Sequence, residues 1–89
     1  MATVVFRATI FKEGDSYVAL NPELNVSSFG DTVAEAKQSL TEAVEAFVEE
    51  CERMGTLDGV LEEAGFAKDA QGRWVARTPV AEESIALTC

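Results

Sequence analysis

The amphipathic segment between Thr32 and Gly55 constrains the fold more than any other part of the chain. Its apolar residues recur every three or four positions, which is typical of a helix with one buried face. The stripe comprises Ala36, Leu40, Ala43, Phe47, Cys51 and Met54, widened by Val44 and Val48. Thr32 and Glu35 fit the T-x-x-E pattern of a helix start, and Gly55 is of the residue type that commonly ends helices. We therefore expect a helix over residues 32–54 that lies across a sheet.

The residues before this helix are expected to form that sheet. Residues 3–12 alternate between apolar and polar side chains and are rich in β-branched and aromatic types, a pattern that predicts a single strand. Residues 13–15 are turn formers, so this strand is expected to pair with residues 16–20 as a hairpin. Pro22 lacks a backbone donor, so it either ends the second strand or begins the crossing to the next, and a short third strand is predicted over residues 26–29.

The residues after Gly55 predict a short helix followed by extended segments. Thr56 is the expected N-cap of a helix that ends at Gly65, and turn residues 69–72 separate two short extended pieces. Apolar and polar residues alternate over 84–89, so this tail is expected to pair either with the protomer's own sheet or with an edge of a neighbouring copy. We favour a homodimer or tetramer, and the predicted interface residues are Trp74, Val75, Arg77, Ile85 and Leu87.

These elements predict one α+β domain over residues 1–89 in the order β-β-β-α-α-β. The long helix packs across an antiparallel sheet of three N-terminal strands and a C-terminal strand or strands, with residues 3–54 as the core and residues 56–89 as the short helix and terminal β segment. The chain has no apolar run of the about 20 residues that a membrane span needs, and its first residues do not follow the plan of a signal peptide. Its two cysteines, Cys51 and Cys89, provide neither a disulfide framework nor metal-ligand spacing. We expect a cytoplasmic protein.

The charge balance points away from nucleic acid and towards a basic partner. The chain has 16 acidic and 7 basic residues, which gives a net charge of −9. Such a surface repels phosphate backbones, so direct nucleic-acid binding is not expected. Acidic residues recur on the predicted helix opposite its apolar stripe, and the candidate partner-binding residues among them are Glu35, Glu42, Glu45 and Glu49. This acidic ridge is interpreted either as a solvated face or as a docking strip for a basic surface.

The side chains that usually carry catalysis are scarce. The chain contains no histidine, which removes the usual general base and the commonest metal ligand. Its serine residues do not lie in the pattern of an activated nucleophile. Loop carboxylates leave a metal-dependent nuclease open as the less favoured alternative; they are Glu13, Asp15, Glu23 and Asp31. We predict no catalytic residue, no cofactor and no metal site.

Three stretches together resemble the HicB family of antitoxins: the N-terminal hairpin, "YVALNPEL" and "SSFGDTVAEAKQSLTEAVEAFVEE". The matching order is a strand that carries Tyr17, the run Pro22-Glu23-Leu24, a short strand, the run Gly30-Asp31-Thr32 and a helix. The resemblance covers about residues 4–50 and is to the ribonuclease-H-like half-domain of that family. It implies a three-stranded antiparallel sheet, a long helix across it and a further strand that completes the layer.

The resemblance also implies a function. Members of the family are non-catalytic proteins that bind and block a small basic mRNA-cleaving toxin, HicA, and many form dimers or tetramers and repress their own operon through an appended DNA-binding domain. This chain departs from the family pattern at Asn25-Val26-Ser27, where a proline-glycine-cysteine run is common, and nothing after Glu50 resembles a DNA-binding module. The expectation is a short HicB-like protein that binds a HicA-like toxin and itself. The alternative is a stand-alone oligomer with a structural or small-ligand role and no toxin.

Overall fold

The computed structural model of the chain describes residues 3–88. It is an α+β protein with one long helix and one short helix, which confirms this part of the predicted fold class, and its strands form two three-stranded sheets. The elements are β1 Val4–Val5, β2 Thr9–Glu13, β3 Ser16–Asn21, β4 Val26–Gly30, α1 Val33–Met54, α2 Leu57–Glu63, β5 Phe66–Lys68 and β6 Trp74–Ala76. Neither helix within the described residues is apolar enough over a sufficient length to cross a membrane.

The first sheet has the strand order β2-β3-β4 and is antiparallel throughout. Its β2–β3 hairpin turns at Gly14, whose φ of 62° suits glycine, and this confirms the predicted hairpin. The β3–β4 connection contains Pro22 and turns at Asn25, whose φ is 54°. α1 packs against one face of this sheet and encloses a first core of Ala19, Ala36, Leu40 and Val44.

The N-terminal strand predicted over residues 3–12 is interrupted, which corrects the expectation of one continuous strand. β1 pairs in parallel with β6, with Val4 opposite Trp74, while β2 belongs to the first sheet. β6 also pairs in antiparallel orientation with β5, so the second sheet has the order β1-β6-β5 and is mixed. The single antiparallel layer of four or more strands is therefore replaced by two sheets, which are joined through residues 6–8.

α1 confirms the predicted long helix. Thr32 is its N-cap, and the Thr32 Oγ1 accepts a hydrogen bond of 3.0 Å from the Glu35 N–H. Gly55 ends the helix with a left-handed φ of 72°. A Cβ at Gly30 would lie 2.7 Å from a backbone nitrogen of the first helical turn, so glycine is required where β4 runs this close to α1. Met54 departs from the predicted buried stripe, because it is 63% exposed at the end of the helix.

The C-terminal half builds a second core against the end of α1. This core consists of Cys51, Leu57, Leu61, Phe66 and Trp74. Thr56 precedes α2 as predicted, but its side chain does not cap that helix; its Oγ1 instead donates a hydrogen bond of 3.4 Å to the Cys51 carbonyl. Because α1 contributes to both cores, it ties the second sheet to the first.

The tail corrects the expectation of a last strand. Residues 77–88 form no strand and are exposed along their whole length, so the alternating segment adds nothing to either sheet of its own protomer. Cys89, the final residue of the predicted strand, lies outside the described residues. The C-terminal β structure that does form is the β5–β6 hairpin, on either side of the predicted turn.

Candidate protein-binding surface

The predicted acidic ridge lies on the solvent side of α1. Glu35, Glu42, Glu45 and Glu49 are all exposed, whereas the opposite side of the helix is buried against the first sheet. Three ion pairs occur among residues 3–88, and none of them involves one of these four glutamates. Their negative charge is therefore not neutralised by an ion pair in the described part of the chain, and it is available to a partner.

An apolar groove runs beside this ridge, between the C-terminal half of α1 and the N-terminal segment. It has a volume of about 220 Å³. Its apolar lining comprises Val4, Phe6, Val44 and Val48. The rest of its lining is acidic and consists of Glu45, Glu49 and Glu52, all of them exposed. The groove therefore combines an apolar floor with a rim of carboxylates, and two members of the rim, Glu45 and Glu49, are among the four predicted partner-binding glutamates.

The groove exists because the N-terminal strand changes sheets. Phe6 lies at the interruption between β1 and β2, where it is half-buried and packs against both cores. Val48 of α1 also packs against both cores, while Val44 belongs to the first core and is only 2% exposed. The groove thus follows the junction between the two sheets, and α1 carries the acidic rim along it.

This surface suits a partner in which an apolar side chain is flanked by lysine or arginine. Burial of apolar surface contributes about 25 cal/mol per Å², so the floor supplies affinity. Exposed ion pairs contribute only about 0–1 kcal/mol each, so the rim acts mainly on the association rate and on the choice of partner.

The five predicted oligomer-interface residues are not brought together in the protomer. Trp74 is only 4% exposed within the second core, which corrects its placement at an interface with another copy. Val75 is half-buried in β6, and Arg77 is exposed at the start of the tail. Ile85 and Leu87 are 82% and 88% exposed. The two tail residues are the members of this set whose side chains are most available for contact.

The loop carboxylates considered for a nuclease site do not converge. Among residues 3–88, no group of three Asp, Glu or Cys side chains is arranged so that it could hold a metal ion. Glu23 is instead paired with Arg7, whose Nη2 lies 2.5 Å from the Glu23 Oε2. The same carboxylate accepts a hydrogen bond of 3.3 Å from the amide of Asn21. Glu23 therefore belongs to the network that holds the β3–β4 turn.

Sequence patterns identify part of the groove but not its floor. Glu52 shares the spacing of the ridge, so helical periodicity alone can identify it. The same periodicity places Val44 and Val48 on the buried stripe without indicating that they border a groove. The alternation over residues 3–12 marks Phe6 as apolar strand surface, but it does not indicate a groove, because the groove depends on the pairing of β1 with a strand near the other end of the chain.

Comparison with known proteins returns no match: no protein-family model matches the chain, and neither does a curated protein or a solved structure. Similarity therefore assigns the chain to no family.

Proposed function

We propose that this chain is a non-catalytic protein-binding module of the HicB type that neutralises a small, basic, HicA-like mRNA-cleaving toxin in the cytoplasm. The observation that carries the proposal is the groove, whose apolar lining is bordered by Glu45, Glu49 and Glu52. The net charge of −9 supports the same class of partner, because it attracts a cationic surface at long range. On this view the first sheet and α1 correspond to the ribonuclease-H-like half-domain that the resemblance implies.

Inhibition follows from occupation of the toxin surface. A protein that cleaves RNA neutralises phosphates with lysine and arginine side chains. The acidic ridge competes for those same side chains, while the groove takes an apolar residue that lies among them. Long-range attraction raises the rate of encounter, and the apolar contact lengthens the lifetime of the complex. RNA is then excluded because its binding surface is already covered.

Charge reversal at the groove tests this proposal. We expect the triple variant Glu45→Lys, Glu49→Lys, Glu52→Lys to associate on the order of tenfold more slowly, at low salt, with a HicA-like toxin encoded beside this chain. Cleavage of a fluorescent RNA by the toxin should then resume at antitoxin concentrations that silence it when the glutamates are present. Association is measured by stopped-flow fluorescence, and cleavage by the release of the fluorophore.

A matched variant separates the groove from the general charge. Glu62→Lys, Glu63→Lys, Glu83→Lys reverses the same number of charges at exposed positions outside the groove lining. It should slow association less and leave the toxin inhibited. Equal effects of the two triple variants would remove the groove from the mechanism. A native host that encodes no small basic partner, and yields the chain only as an oligomer of itself, would favour the stand-alone alternative.

A further inference from the structure

The face of the first sheet opposite α1 carries an apolar patch that residues 3–88 leave largely uncovered. Phe11, Val18 and Phe29 are paired directly across the three strands, so their side chains form one row. The adjacent row contains Ile10 and Ala19, which pack beneath α1, and this places the Phe11 row on the other side. Phe11 is 49% exposed and Phe29 is 73% exposed. We call this surface the open face, and it comprises Phe11, Val18, Leu20 and Phe29.

The tail, residues 80–88, is a second uncovered apolar feature. Val80 is fully exposed at 103%, and Ile85 and Leu87 are nearly so at 82% and 88%. Ile85 and Leu87 are two positions apart, so in an extended segment their side chains point to the same side. The Cα radius of gyration is 15.0 Å, against about 12 Å for a compact chain of this length. The tail therefore leaves its apolar side chains uncovered, while its Glu82 borders a cavity together with Arg7 and Glu23.

The accessible surface area is also larger than that expected for a folded monomer of this mass. It amounts to 6522 Å², whereas a folded monomer of 9.6 kDa exposes about 5,100 Å². The excess is about 1,400 Å² for each copy. Specific interfaces bury about 1,200–2,000 Å² in total over both partners. Association of two copies therefore has enough surplus surface to form a stable interface.

We propose that two copies of this chain exchange tails, so that residues 80–88 of each copy lie against the open face of the other. Ile85 and Leu87 of each copy then pack on Phe11 and Phe29 of the other copy. A single two-fold axis relates the two contacts, so both tails and both open faces are covered. The row of Phe11, Val18 and Phe29 carries no charge, so it lacks the carboxylates that make the groove attractive to a basic partner. The groove lies on the α1 side of the sheet, so both surfaces can be occupied at once.

The mass of the full-length chain in solution tests the exchange. Sedimentation equilibrium should give twice the protomer mass for the unaltered chain. Ile85→Asp with Leu87→Asp should weaken dimerisation by roughly tenfold for each side chain. Ser84→Asp with Thr88→Asp adds the same charge on the other side of the extended tail and should leave the dimer largely intact. A monomer at all concentrations, or a dimer equally stable in both variants, overturns the proposal.

Disulfide trapping identifies which surfaces meet. Two kinds of chain are prepared in the Cys89→Ser background, one with Phe29→Cys and one with Leu87→Cys, and each has its own affinity tag. Cys51 is buried and does not compete for disulfide formation. Oxidation of the mixture should join the two kinds of chain, and Thr88→Cys in place of Leu87→Cys should join them several-fold less. In a single chain that carries both cysteines, the disulfide should again form between chains. A disulfide confined to one chain would mean that the tail covers its own open face, which overturns the exchange.

Discussion

A single buried amide holds the corner at which the two sheets separate. Among the residues that the structure describes, Asn21 is the one buried polar residue, and it has no exposed surface. Its Nδ2 donates a hydrogen bond of 2.9 Å to the Arg7 carbonyl, at the point where the N-terminal strand leaves the first sheet. Its Oδ1 accepts a hydrogen bond of 2.9 Å from the Leu24 N–H inside the β3–β4 turn. One side chain thus satisfies two backbone groups that have no ladder partner at this corner.

We predict that Asn21→Ala lowers the free energy of unfolding by about 2 kcal/mol, because it leaves two backbone groups unsatisfied. For a domain of this size the thermal midpoint should fall by about 8–16 °C. Ser27→Ala, at an exposed position of β4, serves as the control and should change stability by less than about 0.5 kcal/mol. Thermal unfolding followed by circular dichroism measures both. Equal midpoints for the two variants would show that the amide does not stabilise the corner.

At the scale of elements, the β5–β6 hairpin depends on one carboxylate in its turn. The Asp69 Oδ1 accepts hydrogen bonds of 2.9 Å from the N–H groups of Gln71 and Arg73. The Arg73 Nε donates a further bond of 2.8 Å to the Asp69 Oδ2. The pKa of the Asp69 carboxyl is held below its ordinary value, chiefly because the Arg73 N–H donates to it. This turn sets the register in which β6 lies between β5 and β1.

The lowered pKa of Asp69 predicts how the hairpin responds to acid. The unfolded chain takes up its proton at a higher pH than the folded chain, so the carboxylate stabilises the folded state well above pH 3.8. That stabilisation is lost as the pH falls below 3.8 and passes through the folded pKa. The difference in unfolding free energy between the unaltered chain and Asp69→Asn should therefore shrink over this range. Urea unfolding at a series of pH values measures it, and an NMR titration that gives Asp69 an ordinary or raised pKa would contradict it.

At the scale of the whole molecule, local sequence patterns predict the helices and strands, but they do not predict which strands pair in which sheet. α1, the β2–β3 hairpin and the third strand are signalled by caps, turns and periodicity within a few residues, and all three are confirmed. The split of residues 3–12 has no such signal, since it depends on the pairing of Val4 with Trp74. The exposed ridge follows from helical periodicity, whereas the groove requires two sheets to meet. The tail alternates like a strand, but it finds no partner strand within the protomer's described residues.

The net charge of −9 predicts opposite effects of salt on the two proposed surfaces. Raising the ionic strength from about 0.1 M to about 1 M shortens the Debye length from about 10 Å to about 3 Å. Two like-charged copies then repel each other less, so the tail-exchanged dimer should tighten by several-fold. Binding of the toxin, or of a synthetic peptide with leucine flanked by lysines, should weaken by a similar factor. Sedimentation over this salt range measures the dimer affinity, and fluorescence titration measures the affinity for the basic partner. If salt shifts both affinities in the same direction, the assignment of the two surfaces is contradicted.

The parallel pairing of β1 with β6 also affects the order in which the chain can fold during translation. The first sheet and α1 are complete when residue 54 has been made, but the strand that receives β1 comes only with Trp74. At about 5–20 residues per second, the ribosome needs roughly 1–4 s to supply it. Until then the nascent chain holds an unpaired β1 and a complete set of residues for only the first of its two cores. Val4 therefore has no partner strand until Trp74 has been made.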